Sequence, residues 1–428
     1  MPKKGKKKGK KKSGPERVVV TTRYIEEERL RCMCPRLGDA YARSASVGEI
    51  RADVVFHRLR KVVKQKLNTL DASGGQLGFL PEEITERPEM QSLTDVNLSR
   101  NQLFNSDHVF GILSCLKFLK KLDLTDNFFD GMLSTTAGLL QELEDLRLDV
   151  NQLTELPASV GKWTELKVLS ISHNALSILP PQVRDWQNLE DINVRHNNLV
   201  VLPPEMERWA KLRRLLAGGN HILELPPQVV GECQNLAVLD LRGNALKSLP
   251  PELAQCTALE FFHAGSNKIA GFGREFCQGL VNLRELYLCR NKIETLPLEV
   301  GCLSKLSKLS LSGNNIKAIP AEIGACVGLA ELYINNNQKF SSMPAALSGL
   351  KMLRELSARR CKALKSLPPE LANCERLKEL DVRADKKQTC KMTPEFAAIL
   401  KARRCAIRGG VIKKGKKKGK GKGKGKGK

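Results

Sequence analysis

One spacing dominates this chain. From about residue 67 to residue 385 it repeats the pattern L-x-x-L-x-L-x-x-N-x-L, often followed by x-x-L-P, with the apolar residues held in register. Three consecutive copies open at Leu166, Leu189 and Leu212 as LKVLSISHNALSILP, LEDINVRHNNLVVLP and LRRLLAGGNHILELP. The ninth position is Asn101, Asn127, Asn151, Asn174, Asn197, Asn220, Asn244, Asn267, Asn291, Asn314 and Asn337, at intervals of 26, 24, 23, 23, 23, 24, 23, 24, 23 and 23. Gly75, Cys361 and Asp385 extend the series at both ends, which makes about 14 units with degenerate terminal copies. One such unit cannot bury its own leucines, so neighbouring copies must bury them against each other. The 428-residue length therefore does not argue for three separate domains.

These motifs resemble the leucine-rich repeat family, and the 23-residue L-P-x-x spacing resembles its intracellular Ras-group class, which includes the erbin and scribble repeat domains. The resemblance implies an α/β leucine-rich repeat solenoid, a curved parallel sheet with one short strand at each L-x-L. The repeated Asn amide is expected to bond backbone groups from unit to unit, because buried backbone groups are not left unpaired. Three residues before each opening leucine stands a second column, Trp163, Trp186, Trp209, Cys233, Cys256, Leu280, Leu303, Cys326, Leu350 and Cys374. Its cysteines read as small buried residues, since no C-x-x-C pair supplies metal-ligand spacing. Cys289 is expected at an exposed strand position.

The flanks divide the chain further. Residues 1–14 form a lysine-rich tail, and 15–66 a helical N-terminal cap region with Ile50, Val54, Val55, Leu59, Val62 and Val63 along one stripe. The solenoid occupies 67–392. A C-terminal capping helix over 393–408 starts at Thr393-Pro394-Glu395, and 409–428 is a Gly/Lys tail. Eight lysines in residues 1–12 and ten in 413–428 carry 18 of the formal net charge of +25, which leaves +7 for the body. With no apolar residue to bury, these ends are expected to be disordered polycations that attract a polyanion such as tubulin tails, RNA or anionic lipid.

No run approaches the ~18 apolar residues of a membrane span, and the N-terminus lacks the apolar core of a secretory signal. A cytoplasmic protein is expected, with nucleus or cilium as the other destinations that lysine runs allow. The 13 cysteines are then expected as free thiols. No phosphate loop, H-E-x-x-H or G-x-S-x-G occurs, and the six histidines are scattered singly, so no catalytic, cofactor or metal site is expected.

The candidate site is the concave face, built from residues that alternate with buried strand leucines. Leu216, Val238, Phe261, His263, Tyr287 and Tyr333 stand there where polar residues are the norm, with Arg195, Arg214, Arg242 and Arg290 interleaved and Glu285, Glu331, Glu355 and Glu379 in one column. Aromatics with Arg make up the hot spots of interfaces. Leu216, Arg242, Phe261, His263, Tyr287, Arg290 and Tyr333 are therefore the expected contact residues for a protein partner, the alternative being that they merely cover neighbouring rungs. The resemblance implies a signalling scaffold whose partner is a small GTPase or a phosphatase. A microtubule or axoneme component and an RNA- or ribosome-associated factor are the other readings open to the lysine ends.

Overall fold

The computed structural model describes residues 67–80, 83–86, 88–384 and 390–412, with Arg58, Lys61, Val62 and Gln65 before them. Both lysine ends, Cys32, Cys34 and most of the expected N-terminal cap lie outside the described residues. Fifteen three-residue strands, from Thr69–Asp71 to Ala406–Arg408, form one parallel sheet in chain order. Register is kept from rung to rung: Val238 faces Phe261, which faces Glu285, then Lys308, Glu331, Glu355, Glu379 and Ala406. A period-2 strand with its middle leucine buried thus stacks like on like along the whole axis. The last strand belongs to no L-x-x-L copy. It follows the helix Pro394–Ala402, where Thr393 Oγ1 accepts from the Phe396 N–H at 3.2 Å, and it adds Ile407 beside Leu380.

The asparagine column forms the expected ladder. Asn337 is fully buried; its Oδ1 accepts from Ile316 N–H at 3.0 Å while Nδ2 donates to the Leu311 and Ile334 carbonyls at 3.0 and 2.8 Å. Equivalent bonds recur at Asn267 and Asn314.

Behind the sheet, Leu-Pro turns start short helices, because proline has its φ preset and no N–H to lose at a helix start. Rungs 23 residues long close with five-residue 3-10 turns such as Pro181–Asp185 and Pro204–Arg208. Two of the 24-residue rungs instead hold six-residue α-turns, Pro227–Glu232 and Arg274–Gly279, and the 26-residue interval after Asn101 holds Ser106–Leu113. Rung length alone does not set the helix on the back, since the 24-residue intervals after Asn127 and Asn337 close with the 3-10 turns Thr135–Leu139 and Ala345–Gly349.

Each back helix ends on the Trp/Cys column. Trp163, Trp186 and Trp209 are fully buried and stack with centroids 6.0 and 5.9 Å apart. Every indole also donates to a carbonyl of the preceding rung, Trp186 Nε1 to Val160 at 2.8 Å and Trp209 Nε1 to Val183 at 2.8 Å. The thiols of Cys256, Cys326 and Cys374 take over that role further along, bonding Val230, Val300 and Leu347 at 3.0, 3.1 and 3.2 Å. Burial pushes the Cys256 and Cys326 thiols up to about 12, so they stay protonated donors. Among the described residues the exposed thiol is Cys302; Cys289 is half-buried in the turn after its strand.

At the N-terminal end Val62 is buried against the first rung, and Arg58 Nη1 donates to the Ser73 carbonyl at 3.0 Å.

Candidate concave interface

In the pleat, positions three, five and seven of each unit point away from the leucine core. Registry therefore lines up Phe261, Glu285, Lys308, Glu331, Glu355 and Glu379 in one column and His263, Tyr287, Ser310, Tyr333, Ser357 and Asp381 in the next. Phe261, His263, Tyr287 and Tyr333 are half-buried, each leaning on neighbouring rungs. The His263 ring meets Tyr287 edge-on at 4.3 Å. Lys308 rises between the two tyrosines, its Nζ 5.6 Å from one ring centre and 5.7 Å from the other, and pairs with Glu331 at 2.8 Å. Tyr287 Oη donates to Glu285 at 2.9 Å; Tyr333 Oη donates to Glu331 at 2.9 Å and Glu355 at 2.8 Å. The bond to Glu331 holds the Lys308 ammonium above its ordinary value, and burial with the Glu355 contact does the same for the Tyr333 hydroxyl. Rings and charges are thus fixed before any partner arrives.

A second cluster centres on Asp240, which is 1% exposed. Arg242 pairs with it at 2.7 Å, and Arg195 reaches over the Arg214–Leu216 strand to pair with it from two rungs away. Burial alone would raise the Asp240 carboxyl, but the two guanidiniums outweigh it and keep the group low. Gly218 leaves room for the Arg242–Asp240 pair: a Cβ there would stand 3.0 Å from Arg242 Cγ and 3.2 Å from Asp240 Oδ1. Arg195 Nε and His263 Nε2 are buried without hydrogen-bond partners beside this cluster. Burial, with Arg242 and Arg195 nearby, holds the His263 imidazole below its ordinary value and therefore neutral.

Two expected contact residues are placed elsewhere. Leu216 is 5% exposed, lying on the rung that Arg195 bridges, so it fills the neighbouring rungs and offers no contact surface. Arg290 stands beyond the strand at position eight, with φ 55°, and projects from the side of the solenoid. Position eight is left-handed in every rung from Gly74 to Arg360, and its N–H still joins the inter-rung ladder, as from Arg290 to Ser312 at 2.7 Å. Sequence reading missed Lys308 and Asp240, although aligning the units puts Lys308 between two glutamates and two tyrosines. Among the described residues no group of three or more His, Cys, Asp or Glu is close enough to hold a metal ion.

Residues 270–404 match the family of leucine-rich repeat regions, and residues 141–199 match the leucine-rich repeat family. No curated protein sequence matches the chain. Among solved structures, a leucine-rich repeat protein of Leptospira interrogans is similar at 26% identity and TM-score 0.64 over 82% of this chain and 98% of that one. The LRR ectodomain of the plant receptor kinase GASSHO1/SCHENGEN3 from Arabidopsis thaliana, in complex with CASPARIAN STRIP INTEGRITY FACTOR 2, is similar at 28% identity and TM-score 0.58, over 78% of this chain and 42% of that one. An internalin, InlF of Listeria monocytogenes, shares the fold at 18% identity and TM-score 0.64, over 83% and 94% of the two chains.

Proposed function

This chain is a leucine-rich repeat protein, and we propose that it works inside the cell as a non-enzymatic scaffold that holds a protein partner on its concave face. The observation that carries this reading is the fixed array of Phe261, His263, Tyr287, Lys308 and Tyr333 across consecutive rungs. Binding to such an array costs little side-chain ordering, and half-buried aromatics ringed by charge have the composition of interface hot spots. A similar solved structure with a bound factor supports the use of this fold for capturing proteins. The 23-residue spacing favours the Ras-group class, and with it a signalling role and a small GTPase or phosphatase as partner. The lysine ends contact an acidic surface nonspecifically.

Phe261→Ala and Tyr287→Ala in the full chain should each weaken capture of the principal partner about tenfold or more, equivalent to ~1.4 kcal/mol or above, with melting nearly unchanged. Lys351→Ala, on the opposite surface, should capture normally. If both concave variants retained the partner while Lys351→Ala lost it, the concave reading would be wrong.

A further inference from the structure

After each strand the chain runs extended along one side of the solenoid: positions nine and eleven point inward, so eight, ten and twelve point out. Adjacent rungs are hydrogen-bonded here as well, Lys292 N–H to Ile269 at 2.8 Å, Asn315 N–H to Ile293 at 2.9 Å and Lys391 N–H to Lys365 at 2.8 Å. The side is therefore a lattice of outward side chains, with rows about 4.8 Å apart along the axis and columns about 6.6 Å apart along the chain.

Charge is distributed unevenly over this lattice. In the five rungs marked by Asn127, Asn151, Asn174, Asn197 and Asn220, positions eight, ten and twelve contain no lysine or arginine; they carry Asp126, Asp130, three histidines and apolar or neutral residues. From Asn244 onward, position ten brings Lys268, Lys292 and Lys362, and position twelve brings Lys247 and Lys317, with Lys365 one place further along the longer rung after Cys361, all exposed. Arg290 and Arg360 add to position eight, and Lys339 occupies the widened turn after Asn337. Among the described residues of this half of the lattice Glu294 is the acid, and it pairs with Lys317 at 2.9 Å. Among the described residues Lys247, Lys268, Lys292, Lys339, Lys362 and Lys365 form no ion pair. The next acids along the chain, such as Glu252 and Glu299, lie past the Leu-Pro turn on the back helices. This contrasts with the concave face, where Asp240, Glu331, Glu379 and Asp381 are each paired with a cation.

We propose that the side of the C-terminal half, from Lys247 to Lys391, is a docking surface for the phosphate backbone of a duplex nucleic acid. The rows from Lys247 to Lys391 extend over about 29 Å at 4.8 Å per rung, which matches some eight base pairs at ~3.4 Å of axis per phosphate on each strand. A rigid, regular cation lattice suits a rigid, regular polyanion better than a pliable acidic peptide. Among the described residues no exposed aromatic stands among these lysines, which argues against base stacking, and the large apolar side chain exposed there is the single Val411 beside Lys391, too little for insertion into a lipid interface. The chain also leaves the body on this side: Val411–Ile412 pairs with Lys391–Met392, and the ten lysines of 413–428 follow directly in sequence. The inference is independent of the concave-face reading.

The test uses the full chain, fluorescein-labelled 20-base-pair RNA and DNA duplexes, and anisotropy titrations over a range of salt. Lys268→Gln/Lys292→Gln/Lys362→Gln removes three unpaired cations from the lattice; Lys117→Gln/Lys162→Gln/Lys351→Gln removes three exposed cations elsewhere. The lattice variant should lower the slope of log affinity against log salt by about 2 to 3, near 0.9 for each lost phosphate contact, and the other triple variant should leave it unchanged. Binding of both duplexes, or of one alone, identifies the form of phosphate backbone recognised. The proposal is overturned if both triple variants lower the slope equally, if neither does, or if anionic vesicles or a polyglutamate peptide bind through the lattice lysines while neither duplex binds.

Discussion

Val150 occupies the left-handed position that precedes each ladder asparagine, with φ 56° and a branched, exposed side chain. Glycine holds the same place at Gly219, where a Cβ would stand 2.6 Å from His196 Nδ1. A left-handed β-branched residue costs on the order of 1–2 kcal/mol, whereas Asn tolerates the conformation. Val150→Asn should therefore raise stability by about 1 kcal/mol, read as a higher melting temperature; an unchanged or lower one would show that the Val side chain supplies contacts outweighing the strain. His263 gives a pH-dependent counterpart. Its native pKa lies below the ordinary 6.5, because burial opposes the imidazolium, so the unfolded chain binds the proton more readily. The stabilising effect is complete above pH 6.5 and is lost as pH falls through the lower native value. Urea unfolding from about pH 7 down to pH 5 should show a shallower fall in stability for His263→Gln than for the parent chain. Equal slopes would place the His263 ring in water.

The stacked tryptophans couple one element to the next through both ring contact and an indole bond to the preceding rung. Trp186→Ala would open a cavity between two indoles and strip the Val160 carbonyl of its donor. A loss of about 3–5 kcal/mol is expected in chemical denaturation. Cys256→Ala, which leaves a smaller void beneath the same kind of bond, should cost less. Similar losses at the two sites would mean that the carbonyl bond, and not the ring volume, holds the column. The elements were legible to different degrees. Strand register, the asparagine ladder and the buried column follow from the spacing, because a stacked repeat leaves a leucine only one place to go. The α- or 3-10 character of each back helix does not follow from the interval lengths, since 24-residue intervals hold both the α-turn Pro227–Glu232 and the 3-10 turn Thr135–Leu139. The final strand Ala406–Arg408 had no such signal, since Ile407 stands alone without the leucines that mark other rungs.

At the scale of the molecule, the concave site was legible as columns and illegible as contacts. Position five predicted that Tyr287 and Tyr333 share a face, but not that Lys308 from position three would stand between them. Leu216 fills its own side because Arg195 spans two rungs to Asp240, a reach that no single repeat encodes. Arg290 was misplaced for a related reason: strand alternation stops at the left-handed turn, so counting onward by twos carries the residue to the wrong face. The charge asymmetry of the side appears only when units are compared position by position, since the net charge of the body averages it away.

The three tryptophans also have an optical consequence. The protein has three in total, and they form one stack in consecutive rungs. Fluorescence excited selectively at tryptophan therefore reports on one short stretch of the axis. The emission of three closely packed indoles shielded from water will shift when that stretch opens, yet it is blind to melting around Tyr333 or Lys362. A fluorescence transition and a circular-dichroism transition that fail to coincide would thus reveal the two halves of the arc separating in stability before either is resolved directly.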